Sequence, residues 1–273
     1  MLRLNGKVLI IDRFPNHEAR FKDFADKIVA KQNILELIYE DDADLWALYF
    51  AKDYLDDFKN VTVILFIWYM PYSRMDRKIE GDLFTLKPTC EFINNLKFQE
   101  VYVMEPHSAE TMKMLKRSTA VYPINDWISE VQEDVGFTEN DFFVLPDKGA
   151  VTRYQDKIGY DRIIVIEKVR NPISCSIDDM FLKQGEIRPG SKYIIMDDLC
   201  SKGGTALGAA KILKKNGAGA VFVAVSHLEE AALEGDLLKP ESPVTRLYAP
   251  KSFTSKPHPK VKYVDIDINR YIK

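Results

Sequence analysis

The chain has 273 residues, 46% of them hydrophobic and 29% charged, and a formal net charge of −3. That balance belongs to an ordinary globular protein of one large or two medium domains, and it excludes a broad cationic surface for nucleic acid. The three cysteines, Cys90, Cys175 and Cys200, are odd in number and widely spaced, which argues against a disulfide framework or a zinc site. The stretch "MLRLNGKVLIIDRF" has no secretory h-region, so no secretory signal is expected. The longest apolar run, "VTVILFIWYM" from Val61, is about half of the roughly 20 residues that a membrane helix needs. A reducing cytoplasm and no membrane are therefore expected.

Taken in chain order, short apolar runs alternate with stretches of helical length. "KVLII", "ILELIY", "VTVILFIW", "VYVME", "FFVLP", "IIVIE", "YIIMD" and "VFVAVS" read as buried parallel strands. Between them, "DADLWALYFAKDYLDDF" sets Leu45, Leu48, Tyr49, Ala51, Lys52 and Leu55 near one helical face. "TLKPTCEFINNL", "SAETMKML" and "TALGAAKILKK" also have helical spacing. This alternation implies an α/β fold, doubly wound around parallel sheet. The mid-chain stretch "PINDWISEVQEDVGFTENDFF" is polar, so a boundary is expected within it, giving two domains, 1–136 and 137–273.

In such sheets ligands bind beyond the carboxyl ends of the strands. After "YIIM" come Asp197 and Asp198, then Ser201, Lys202, Gly203, Gly204 and Thr205 at the start of a helix. Glycines let backbone N–H groups approach an anion, and a helix N-terminus adds partial positive charge. Adjacent carboxylates can accept from the vicinal hydroxyls of a ribose. Together these residues suit a sugar phosphate, although a strand ending in solvated acids before a glycine turn remains open on this stretch alone.

This segment resembles the ribose-phosphate loop of type I phosphoribosyltransferases and, more closely, of ribose-phosphate diphosphokinases. Further stretches follow the order of the diphosphokinase family. "RFPNHE" is similar to an adenine-contacting loop, with Phe14, Asn16 and Glu18 in its spacing. "MPYSRMDRK" resembles an ATP-binding signature, with Arg74, Asp76 and Arg77 in place and Met75 where the family has Gln. "VMEPHSAE" matches a metal- and nucleotide-binding segment through His107, with Glu105 for Asp. "VLPDKGAVTRYQ" puts Asp147 at a metal-side position and Arg153 at an arginine of the family. "VIEKVRNP" resembles the catalytic loop through Lys168 and Arg170, and "NPISCSIDDM" then reads as a lid. The similarity spans roughly residues 10 to 235 and is that of a divergent, shortened member.

The resemblance implies two similar domains of the type I phosphoribosyltransferase kind and an enzyme dependent on ATP and Mg²⁺. It would move the β,γ-diphosphate of ATP to the anomeric hydroxyl of ribose 5-phosphate, releasing AMP. Lys168, Arg170 and His107 would be catalytic. Phe14, Asn16, Glu18, Arg74, Met75, Asp76, Arg77 and His107 would bind ATP. Asp197, Asp198 and Ser201 to Thr205 would bind the ribose phosphate, and His107, Asp147 and Glu105 the metal. The loop around Phe14 would reach a neighbouring subunit, implying a homodimer or larger homo-oligomer. Ser201-Lys202 replaces Asp-Thr in the loop, so a ribose with a substituted 5-phosphate, such as ADP-ribose, is a further expected acceptor. A phosphoribosyltransferase and a non-catalytic regulatory homologue are the rival readings.

Overall fold

The apolar runs become interior strands of two sheets in a computed structural model that describes residues 1–79, 81–170 and 177–273. Contacts divide the chain into two units, Met1–Tyr122 with Ile268–Lys273, and Pro123–Asp267. Both are α/β.

The first unit comprises β1 (Leu2–Leu4), β2 (Lys7–Val8), β3 (Ile10–Arg13), β4 (Ala19–Lys22), β5 (Gln32–Leu37), α1 (Ala43–Asp56), β6 (Thr62–Ile67), α2 (Leu86–Asn95), β7 (Glu100–Met104), α3 (Ala109–Met114) and β8 (Ser118–Val121). Its sheet runs β2-β1-β5-β6-β7-β8, with β5 to β8 parallel and β1 antiparallel to both neighbours. "KVLII" departs from the expected buried parallel strand. Asn5 and Gly6 both take positive φ, 51° and 76°, and turn the chain tightly, so Lys7–Val8 pairs back on β1. The next residues leave for the separate β3–β4 hairpin, and Val8 and Ile10 stay about half exposed, at 48% and 51%.

Helix α1 buries Ala47, Leu48, Ala51 and Leu55 against Leu35, Leu37 and Ile67. Tyr49, expected on that face, points outward with Trp46, Phe50 and Tyr54. The i, i+4 spacing of Ala47, Ala51 and Leu55 sets the stripe, and Tyr49 lies off it.

The second unit comprises α4 (Ile124–Asp134), β9 (Phe142–Leu145), α5 (Lys148–Tyr154), β10 (Ile163–Arg170), β11 (Ile177–Gln184), β12 (Tyr193–Cys200), α6 (Gly204–Lys215), β13 (Val221–Leu228), β14 (Arg246–Pro250) and β15 (Val261–Val264). The order is β11-β10-β9-β12-β13-β14-β15, parallel except for β11. Helix α6 packs on one face with Tyr193 and Ile195, and α4 and α5 on the other with Ile194 and Met196. The sheet is thus covered on both sides.

The division at Tyr122 and Pro123 lies upstream of the boundary expected near residue 137. The polar stretch in which that boundary is expected begins with the amphipathic helix α4, which buries Ile124, Trp127, Ile128 and Val131 beneath the second sheet. Asp134 at its end accepts from Lys262 Nζ at 2.8 Å, Tyr248 Oη at 2.6 Å and Arg246 at 3.1 Å. The lid expected over "NPISCSIDDM" lies partly outside the described residues, as does Cys175. From Ile177 onward that segment is strand, paired with β10. Cys90 and Cys200 are free and buried. Among the described residues no helix is long and apolar enough to cross a membrane.

Two predictions follow from these contacts. The Lys262 and Tyr248 hydrogen bonds hold the Asp134 carboxyl down at about 2, against an ordinary 3.8. A depressed acid stabilises above its unfolded value and loses that contribution as pH falls through the folded one. Asp134→Asn should therefore lower the melting temperature at pH 7, and the gap from wild type should close between about pH 4 and pH 2. Gly203, which starts α6, has φ +79°, and an added Cβ would lie 2.7 Å from Leu237 Cβ. Gly6 has φ +76° with nothing within 4 Å of an added Cβ. In urea melts Gly203→Ala should cost about 1–3 kcal/mol more than Gly6→Ala, the excess being the clash.

Candidate active site

The strand order of the second sheet reverses at β9. The chain leaves β9 for β10 on one side and returns to β12 on the other, which makes the β9/β12 edge a topological switch point. Strand β9 ends at Leu145, whereas its neighbours continue to Arg170 and Cys200. A notch therefore opens beyond the short central strand, bordered by residues from three segments.

Asp147 follows β9 and caps α5, its Oδ1 accepting from the Ala150 N–H at 2.8 Å. Its Oδ2 pairs with Lys168 Nζ from β10, and the same ammonium lies 3.4 Å from Thr205 Oγ1 at the start of α6. Both members of the ion pair are largely withdrawn from water. Lys168, Asp147 and Thr205, from three segments, are thus gathered in one place. Arg170 lies two residues further along the same strand.

The two adjacent acids differ. Asp198 shares the pleat of Ile194 and Met196, and its Oδ2 is 3.2 Å from Arg153 of α5. Asp197 shares the pleat of Tyr193 and Ile195, is half-buried, and folds back so that its Oδ1 accepts from the Asp198 N–H at 2.9 Å. Burial first, then the charges of Asp198 and Asp147, push the Asp197 carboxyl well above the ordinary carboxylate range, with Lys168 opposing. The site is rich in carboxylates and already holds internal counter-charges.

The loop after β12 carries Ser201, exposed Lys202, and Gly203 in the left-handed region. Glu229, beyond β13, anchors it: the Glu229 N–H donates to the Cys200 carbonyl at 2.9 Å, and Ser201 Oγ donates to the Glu229 carboxylate. Nothing in the sequence reading marked Glu229. Arg153 was noted only as a position in a resembling stretch. The signals were "SHLEE" closing a strand, and an arginine six residues after Asp147, but neither spacing names its partner.

The remaining expected site residues lie in the first unit. Phe14, Asn16 and Glu18 occupy the β3–β4 turn, where Phe14 N–H donates to the Glu18 carbonyl at 2.9 Å, and all three are exposed. Arg74, Met75, Asp76 and Arg77 follow β6, the two arginines exposed. The preceding Tyr72, at φ 60°, donates to Asp42, which also accepts from Tyr39 at 2.8 Å. Those hydroxyls lower the Asp42 carboxyl. Glu105 is fully buried after β7, and His107 precedes Ser108, the α3 cap. The three residues expected to bind metal are thus divided, Glu105 and His107 in the first unit and Asp147 in the second. Among the described residues, no three His, Cys, Asp or Glu side chains are grouped to hold an ion.

No family model matches the chain. Curated relatives named ribose-phosphate pyrophosphokinase include one from Saccharolobus solfataricus, 25% identical over 70% of this chain and 65% of its own length. One from Sulfolobus acidocaldarius is 28% identical over 68% of this chain and 64% of its own length. The chain thus matches slightly less than two thirds of these relatives. A longer match, to Thermococcus kodakarensis, covers 82% of the chain at 24% identity and 79% of the relative. A crystal structure of phosphoribosylpyrophosphate synthetase from Mycobacterium smegmatis superposes with a TM-score of 0.72 over 94% of this chain and 85% of that one, at 18% identity. By sequence, the chain is a distant relative of the ribose-phosphate pyrophosphokinases, and it shares the fold of a phosphoribosylpyrophosphate synthetase.

Proposed function

We propose that the protein is an ATP-dependent diphosphokinase that transfers the β,γ-diphosphate of ATP to the anomeric hydroxyl of a ribose 5-phosphate-type acceptor. The observation that carries this reading is the gathering of Asp147, Lys168, Asp197, Asp198 and Thr205 around the notch beyond β9. The sugar hydroxyls would be held by the acidic pair, and its phosphate by Ser201 to Thr205 at the N-terminus of α6. The anomeric oxygen attacks the β-phosphorus, the bond from that phosphorus to the α,β-bridging oxygen breaks, and AMP departs with that oxygen. The hydroxyl proton goes to solvent.

Lys168 and Arg170 act in this reading by positioned charge on the diphosphoryl group. Lys168 must exchange Asp147 for a phosphate oxygen to do so. Its pairing with Asp147 keeps both charges compensated. Arg74 and Arg77, with Met75 and Asp76, would hold the nucleotide. The exposed turn bearing Phe14, Asn16 and Glu18 would serve the nucleotide site of a second copy, as in a homodimer or larger homo-oligomer. The outward aromatic face of α1 supports such self-association.

Magnesium accompanies ATP in this reading. Carboxylate oxygens are the hard donors it prefers, and a divalent cation would relieve the crowding that burdens Asp197. Asp147 of the second unit is proposed as a donor to it, and Glu105 and His107 of the first unit are proposed as donors on their own side. When bound it would neutralise charge on the triphosphate. The setting is the reducing cytoplasm, where Cys90 and Cys200 persist as thiols.

The acceptor is proposed to be ribose 5-phosphate or a ribose with a substituted 5-phosphate such as ADP-ribose. Ser201 removes an acid from the loop relative to the family, but Glu229 returns one through space. The added positive charge therefore rests on Lys202, an exposed ammonium on a flexible stem suited to an extended phosphate.

The decisive measurement is AMP release by the purified chain with Mg²⁺, ATP and each acceptor. Lys168→Ala and Arg170→Ala should each lower kcat by about 10²-fold with smaller effects on ATP binding. Release of diphosphate from a phosphoribosyl diphosphate and a base, with no AMP formed from ATP, would instead make the protein a phosphoribosyltransferase. Inactivity in both assays would favour a regulatory homologue. In the acceptor comparison, Lys202→Thr should reduce the rate with ADP-ribose more than the rate with ribose 5-phosphate. Full use of ribose 5-phosphate, none of ADP-ribose and no effect of Lys202→Thr would rule the extended acceptor out.

A further inference from the structure

The acidic pair is asymmetric, and the cause lies on α5. Arg153 meets Asp198 at 3.2 Å, with the two side chains only 15% and 10% exposed. A pair so far withdrawn from water is strongly coupled, because each charge offsets part of the desolvation of the other. The helix that carries Arg153 is fixed at both ends. At its start, Asp147 caps Ala150 and holds Lys168. At its end, Tyr154 is fully buried, its hydroxyl 3.5 Å from Ser226 Oγ. Ser226 in turn lies in a buried set with Ser252 and His227: Ser252 Oγ donates to the Ser226 carbonyl at 3.0 Å and lies 3.1 Å from His227 Nδ1. Arg153 therefore projects from a rigid base, and the position of its guanidinium is set before any ligand arrives.

Asp197 has a different environment. It shares the α6 side with Lys168 and Thr205, where the loop of Ser201 to Thr205 begins. One of its oxygens accepts from its own strand, and it is the more exposed of the two acids. We propose that Arg153 is a positioning residue that divides the acidic pair, holding Asp198 against α5 so that Asp197 is the carboxylate presented to the hydroxyls of a sugar phosphate. This inference rests on the functional reading above and assigns the two acids unequal tasks within it: Asp197 touches the ligand, whereas Asp198 and Arg153 fix the end of β12 from which Asp197 projects.

The test uses the full-length chain with ribose 5-phosphate as probe, by calorimetric binding and by steady-state kinetics. Asp197→Asn should weaken ribose 5-phosphate binding by about tenfold or more, because a carboxyl oxygen that accepts from the sugar hydroxyls is lost. Arg153→Gln should raise the KM for ribose 5-phosphate by about tenfold, leave the KM for ATP unchanged, and be partly rescued in Arg153→Lys. Asp198→Asn alone takes a carboxylate away from the Arg153 guanidinium. The double variant Arg153→Gln, Asp198→Asn replaces the ion pair with two neutral amides able to hydrogen-bond. It should bring the KM for ribose 5-phosphate back to within about threefold of wild type.

A double variant as impaired as Asp197→Asn would show that Asp198 itself binds the ligand, and would overturn the division. So would an Arg153→Gln enzyme with an unchanged KM for ribose 5-phosphate. If Arg153→Gln does not fold, the double variant still decides, since it retains no unpaired charge. Wild-type protein that binds no ribose 5-phosphate would overturn the functional reading, and this inference with it. That outcome is distinguishable because the failure is then in the wild type rather than in the variants.

Discussion

The parallel pairing of β9 with both β10 and β12 is the constraint on which the second unit's chemistry depends. Phe143 is level with Ile163 on one side and Ile194 on the other. Because β9 stops at Leu145, the residues beyond it on the flanking strands lose their central neighbour and border an opening. The side chains gathered in the second unit enter from elements that meet this edge: Asp147 from the cap of α5, Arg153 from α5, Lys168 from β10, Asp197 and Asp198 from β12, and Thr205 from α6. A shift of register by one residue would send Lys168, Asp197 and Asp198 to the opposite face of the sheet. The apolar contacts of Val144, Ile166 and Ile195 on one face, and of Leu145, Ile194 and Met196 on the other, hold the register.

The charges in the notch are balanced internally. Lys168 meets Asp147 and Arg153 meets Asp198, while Asp197 is pushed toward its neutral form. Isolated charges in such a place would each cost several kcal/mol to desolvate, so pairing them is the condition for the site to exist in a folded chain. The same pairing suits a ligand that brings its own charges. A phosphate can take the place of Asp147 at Lys168 without leaving a buried ion bare, provided that the displaced carboxylate finds a cation.

The first unit shows a comparable economy around β5 and β6. Tyr72 adopts a left-handed backbone conformation that is unfavourable for a bulky residue, and its hydroxyl is held by Asp42. Tyr39 completes the cluster through the same carboxylate oxygen. Strain at the start of the Arg74 to Arg77 segment is thereby tied to the start of α1, and the hydroxyl donors keep Asp42 ionised. The sheet edge and the helix that follows it are locked by polar contacts, while the apolar face of α1 does the packing.

Much of this was legible in the letters. Alternating apolar runs and helical stretches announced α/β units, and acids, glycines and cations stood just after strands because such positions emerge at one edge of a parallel sheet. Those are local properties, carried by a period of two or 3.6 residues and by adjacency along the chain. Local misreadings had local causes. Asn5-Gly6 turns "KVLII" back into a hairpin, and the α4 stretch reads as polar because its apolar residues occupy only one stripe. The meeting of Lys168 with Asp147, of Arg153 with Asp198 and of Ser201 with Glu229, 28 residues apart, is of another kind. Periodicity says which way a side chain faces on its own element, but not which element lies opposite. Strand order and register decide that, and they arise from the packing of the whole sheet, so the unequal partners of two adjacent aspartates belong to the tertiary structure alone.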